Sequence, residues 1–257
     1  MRYTQRLRRR LRLRHRLEHT AEQAQRKLDW LRRTRGTRIL YCLGDSHVKM
    51  FQRLETGKCF ERLVLRCTIV GGATALGLVN PNSKTDALKR FRQELGYVST
   101  RDHLLFLLGE VDCGFVIWYR ANKYNMPVEA QFERSLANYQ SYLLSVADQG
   151  YRNIIVCSVP LPTIVDGQTW GEVADARKEV AATLAQRTEL TLRYNARMRH
   201  FCGQEGLALL DFEQDILDQE SGVVRRRFLN HDPLDHHLEP SAMTPVLVSR
   251  LQDLGFH

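Results

Sequence analysis

Ser46 stands in Gly44-Asp45-Ser46-His47, and a second run of chemistry-bearing residues lies near the other end of the chain, at His231-Asp232-Pro233-Leu234-Asp235-His236-His237-Leu238. A serine hydroxyl is a weak nucleophile until a base removes its proton, and histidine held in the correct tautomer by a carboxylate is the usual base. The second run supplies both groups. Two shorter stretches lie between them, Val70-Gly71-Gly72-Ala73 and Gly109-Glu110-Val111-Asp112. Gly72 has no side chain, so its backbone N–H can approach a substrate oxygen closely. With the N–H of Ser46 it would form part of an oxyanion hole, where each donor contributes about 2.7–4 kcal/mol to transition-state stabilisation. Ser46 also has a plainer reading, as the cap of a helix.

These groups can act together only if the fold brings them to one place. Residues 39–43 (Ile-Leu-Tyr-Cys-Leu) form an apolar run of strand length, Gly44-Asp45 makes a turn, and a helical pattern follows through Val48, Met50, Phe51 and Leu54. Strands are expected at 38–43, 62–67, 103–108, 152–158 and 207–211, and helices at 46–55, 84–95, 128–149, 170–202 and 241–254. That alternation predicts a parallel sheet of about five strands with helices on both faces. The chemistry-bearing stretches each fall where a strand ends or a helix begins, and in such a sheet these loops converge on the carboxyl edge, where ligands bind. Long loops are expected at 113–127 and 159–170. Residues 37–257 read as one domain, preceded by a helix within 1–36.

Taken in order, the stretches resemble the SGNH (GDSL-type) hydrolase family across most of residues 38–254. Gly44-Asp45-Ser46 matches its first block, Gly72 its second, Gly109-Glu110-Val111-Asp112 its third, usually Gly-x-Asn-Asp, and the Asp/His stretch its fifth, usually Asp-x-x-His. The resemblance implies a three-layer α/β/α flavodoxin-like domain and a serine esterase or acyl-transfer mechanism without metal or cofactor. It implies Ser46 as nucleophile and His237 as base, because His237-Leu238-Glu239-Pro240 leads into the last helix. The chain departs from the pattern twice. Val111 replaces the asparagine of the oxyanion hole, for which Asn82 or Asn80 could substitute. No aspartate lies three residues before a histidine, so Asp235 or Asp232 is expected to orient His237, with His236 as an alternative base. Asp112 is expected to be structural, and Glu110 to meet Arg120 or substrate. Arg120, Tyr119 and Tyr124 could bind a polar substrate such as an acylated glycan.

Two other classes compete. Asp45, His47 and Asp112 could join the His/Asp stretch as metal ligands of a metal-dependent hydrolase. Alternatively the altered third and fifth blocks belong to an inactive binding module that keeps the fold. Composition narrows the rest. The formal net charge is +9, yet residues 1–38 hold 14 Lys/Arg against 3 Asp/Glu, so the body is near neutral and a basic substrate channel is not implied. The arginine-rich helix expected over 5–34, with Trp30 as an anchor on the body, suits contact of residues 1–35 with anionic lipid, nucleic acid or an acidic protein. No apolar leader begins the sequence and no span of membrane length occurs, which predicts a cytoplasmic location, peripheral at a membrane surface at most. The six cysteines form no CxxC pair and are expected as reduced thiols.

Overall fold

In the computed structural model, residues 24, 27–56, 59–167 and 182–257 are described. Five strands form one sheet: β1 (Arg38–Gly44), β2 (Leu63–Ile69), β3 (His103–Leu107), β4 (Asn153–Cys157) and β5 (Ala208–Leu210). Their order is β2-β1-β3-β4-β5 and every pairing is parallel. The principal helices are α1 (Lys49–Thr56), α2 (Ala87–Leu95), α3 (Ile117–Lys123), α4 (Val128–Asp148), α5 (Leu184–Glu205) and α6 (Pro240–Asp253).

The three layers follow from strand periodicity, because successive side chains point to opposite faces. Ile39, Tyr41 and Leu43 of β1 join Leu104 and Phe106 of β3 on one face, packed with Phe91 of α2, Tyr139 and Leu143 of α4 and Tyr194 of α5. Leu40 and Cys42 join Leu105 and Leu107 on the other face, with Phe51 of α1 and Leu247 and Leu251 of α6. None of the six cysteines is joined in a disulfide.

The chain runs from β1 outward to β2, then crosses back to β3 on the other side of β1. The carboxyl ends of β1 and β3 therefore flank the switch point of the sheet, where a crevice opens in doubly wound folds. Ser46 follows β1 and Glu110 follows β3, so the topology brings the first and third stretches side by side.

Some expectations change. The segment 113–127 is not a loop: helix runs from Glu110 to Lys123, with a π turn at Asp112–Val116. Cys113, Ile117 and Ala121 are buried, a helical four-residue spacing that turns one stripe to the core. The long helix begins at Leu184 rather than 170, because Thr183 and Gln186 form a reciprocal capping box at its start. Residues 168–181 lie outside the described residues.

Most of the segment expected as an arginine-rich helix also lies outside them. Its described part, residues 27–34, docks through ions rather than apolar packing. Asp29 is buried and accepts from Arg66 (2.7 and 3.1 Å), while Arg33 pairs with Asp102 at the amino edge of the sheet. Trp30 is 61% exposed, so it is no anchor. Among the described residues no helix is long and apolar enough to cross a membrane.

Candidate active site

Asp45, not Ser46, caps the turn that follows β1. Its Oδ1 accepts from the His47 N–H (2.8 Å), and Ser46 is the first residue of the 3-10 turn Ser46–Val48 that leads into α1. Ser46 is half-buried, and the cap of this turn is Asp45. Gly44 brings β1 against β3 so closely that a Cβ there would lie 2.0 Å from the Leu107 carbonyl oxygen. The Asp45 N–H donates to that same oxygen (3.3 Å), which fixes the height of Ser46 above the sheet edge.

Asp235 orients His237. Asp235 Oδ1 accepts the His237 backbone N–H (2.9 Å) and lies 2.5 Å from its Nδ1. The missing Asp-x-x-His spacing is thus met by Asp-x-His, because a tight turn around the carboxylate does what an extra residue would do elsewhere. Asp232 serves its own loop, accepting from Leu234 N–H (2.9 Å), and is not the orienting group. The loop is pinned at its far end by the Leu229–Leu238 bridge and the Glu239 N–H to Phe228 carbonyl bond (2.8 Å). Thr163 holds the His236 carbonyl from the neighbouring loop.

The His237 side chain is 12% exposed, and its Nε2 is buried with no hydrogen bond among the described residues. Burial, reinforced by His47 nearby, lowers its pKa below the ordinary 6.5, with the Asp235 carboxylate pulling the other way. Its ring packs 4.7 Å, centroid to centroid, from that of His47, the residue after Ser46. Among the described residues no hydrogen bond joins Ser46 to His237.

The third stretch divides its labour. Asp112 is fully buried and accepts from Ala75 N–H (2.8 Å), Leu76 N–H (3.1 Å) and Ser135 Oγ (2.9 Å). It ties the loop after β2 to the helix after β3, the structural role expected of it. Desolvation pushes its pKa up to about 6 despite those donors. On that loop the Ala73 N–H closes a turn onto the Val70 carbonyl (3.0 Å), with Gly72 exposed at φ +70°, a conformation that side chains resist. Glu110 is buried and faces His47, its Oε2 3.9 Å from Nδ1. It does not meet Arg120, which instead bonds Gln131 of α4 (2.9 Å) and lies over the Tyr124 ring.

Asn82, a candidate oxyanion donor, is exposed on a turn and gives its backbone N–H to Asn80 Oδ1 (3.0 Å); no hydrogen bond among the described residues joins it to Ser46. Sequence reading missed the pairing of His47 with Asp45, whose Oδ1 lies 3.0 Å from its Nδ1. The repeated Asp-x-His spacing, at 45–47 and 235–237, was the signal that could have found it. A cavity of about 200 Å³ adjoins both histidines, with Lys49, Arg53, Asp235 and Pro240 also lining it.

No protein-family model matches this sequence, and no curated protein matches it. Solved structures do. A GDSL-like lipase from Bacteroides thetaiotaomicron VPI-5482 superposes with a TM-score of 0.56 at 13% identity, over 86% of this chain and 88% of the other. The acetyl xylan esterase AlAXEase superposes with a TM-score of 0.52 at 14% identity, over 84% and 98%. The chain has the SGNH (GDSL-type) hydrolase fold.

Proposed function

We propose that this protein cleaves carboxylic esters through an acyl-enzyme on Ser46. The observation that carries the reading is the Asp235–His237 pair, which holds a buried Nε2, without a hydrogen bond among the described residues, against the turn that Ser46 opens. His237 Nε2 takes the Ser46 proton as Oγ attacks the ester carbonyl. The backbone N–H groups of Ser46 and Gly72 hold the oxyanion that results. Collapse breaks the bond to the alcohol, which leaves with the proton from His237. Water then attacks the acyl-enzyme, with His237 again as base, and the acid departs. A sugar hydroxyl in place of that water makes the same chemistry a transferase reaction.

An acylated sugar or glycan is the favoured substrate class. The resemblance in fold to an acetyl xylan esterase supports it.

The pH profile tests His237. A base must be unprotonated to act, and burial lowers the pKa of this one below 6.5. The rate kcat/KM for p-nitrophenyl acetate is expected to rise with pH along a limb whose midpoint lies below 6.5, and to be flat through neutrality. A limb centred above 6.5 contradicts the assignment.

A further inference from the structure

The proposed serine mechanism passes through one of two Asp-x-His devices, and the second lies beside it. Asp45 and His47 reproduce the local geometry of Asp235 and His237: in each, one carboxylate oxygen accepts the histidine backbone N–H (2.8 and 2.9 Å) and lies against Nδ1 (3.0 and 2.5 Å). The two rings meet, and His236 completes the group, its ring centroid 5.7 Å from that of His47 and 4.2 Å from that of His237. One ring nitrogen from each of the three lies within 4.8 Å of the other two.

Three imidazoles so placed have the chemistry of a borderline-soft divalent cation. Zinc takes histidine nitrogen at about 2.0–2.1 Å in a tetrahedron, which brings ligating nitrogens to about 3.3 Å apart. Binding would have to draw the three nitrogens together from within 4.8 Å to that spacing. With Nδ1 of His47 and His237 engaged by Asp45 and Asp235, each would ligate through Nε2. A carboxylate behind a ligating imidazole fixes its tautomer and raises its basicity. A second observation points to a cation. Asp45 is fully buried, and its Oδ2 has no hydrogen bond among the described residues. A carboxylate in that position is stabilised by positive charge close by.

We infer that His47, His236 and His237 form a binding site for a divalent transition-metal cation of the zinc class, and that its occupancy switches off the serine chemistry. The switch rests on the proposed ester hydrolysis; the binding site does not. A dative bond from His237 Nε2 to the metal occupies the lone pair that would take the Ser46 proton. No electron is transferred, and removing the metal restores the base.

The test uses the full chain, stripped of metal, with zinc as the probe. Zinc affinity is read by competition with a chromophoric chelator in wild type, Ser46→Ala and His236→Gln, and turnover of p-nitrophenyl acetate is followed across the same zinc range. Wild type and Ser46→Ala are expected to bind one equivalent with equal affinity. His236→Gln is expected to bind at least about tenfold more weakly, and inhibition of the wild type should track its zinc occupancy. Equal affinity in His236→Gln overturns the site, and zinc-stimulated turnover overturns the switch. Zinc binding that needs His236, in a protein without ester turnover at any zinc level, upholds the site and retires the serine reading instead.

Discussion

Ser46→Ala is expected to lower kcat/KM for p-nitrophenyl acetate at least about a thousandfold, because every step of the proposed cycle passes through its Oγ and the remaining groups act only with it. The fold should not notice. Asp45 supplies the cap of the turn and the Ser46 hydroxyl makes no hydrogen bond among the described residues, so the thermal unfolding midpoint is expected to stay where it is in the wild type. The pairing of lost turnover with kept stability distinguishes a nucleophile from a structural serine. Turnover within tenfold of the wild type contradicts the assignment.

Gly44→Ala is expected to do the opposite, striking the fold before the chemistry. The new Cβ would sit 2.0 Å from the Leu107 carbonyl oxygen and 2.7 Å from Val48 Cγ2. The oxygen belongs to a strand held on both sides by β1 and β4, so it cannot move without breaking the ladder. Overpacking against backbone in a closed core belongs to the most destabilising class of substitutions, at about 4 kcal/mol or more. In a domain of this size that corresponds to a fall of about 8–16 °C in the unfolding midpoint. Measured by calorimetry, an unchanged midpoint would contradict the close approach of β1 and β3 on which the placement of Ser46 depends.

How much of this was legible beforehand varies with the kind of signal. The five strands and their alternation with helices could be read because each strand is a short apolar run ended by a turn. The same alternation puts Ser46, Gly72 and Asp112 after β1, β2 and β3, at the carboxyl ends of neighbouring parallel strands. Element boundaries depended on local caps. The capping box at Thr183 and Gln186 was visible in the sequence, but the apolar periodicity upstream masked it. The helix over 110–123 is hard to see within the loop expected at 113–127, because polar and aromatic residues surround the buried stripe of Cys113, Ile117 and Ala121.

Side-chain partners were least legible. Asp235 was identified as one of two candidates, and only the turn geometry distinguishes it from Asp232. Of the two partners expected for Glu110, Arg120 or substrate, the first is not met, since nothing in one sequence shows that Arg120 turns toward Gln131. The role foreseen for Asn82 required a loop conformation that sequence does not specify. The basic character of residues 1–35 was plain from composition, but the way residues 27–34 dock, through Asp29 and Arg33, depends on arginine and aspartate partners distant in sequence.

The activated serine is tested most directly by covalent labelling. A fluorophosphonate reacts with a serine only where a base has raised its nucleophilicity. Intact mass measurement after incubation should show one adduct on the wild type, with the modified peptide containing Ser46. The adduct should be absent from Ser46→Ala and from His237→Ala, and should persist when EDTA is present throughout. An unlabelled but folded wild type, or a Ser46→Ala variant that still takes up the probe, would contradict the account at its centre.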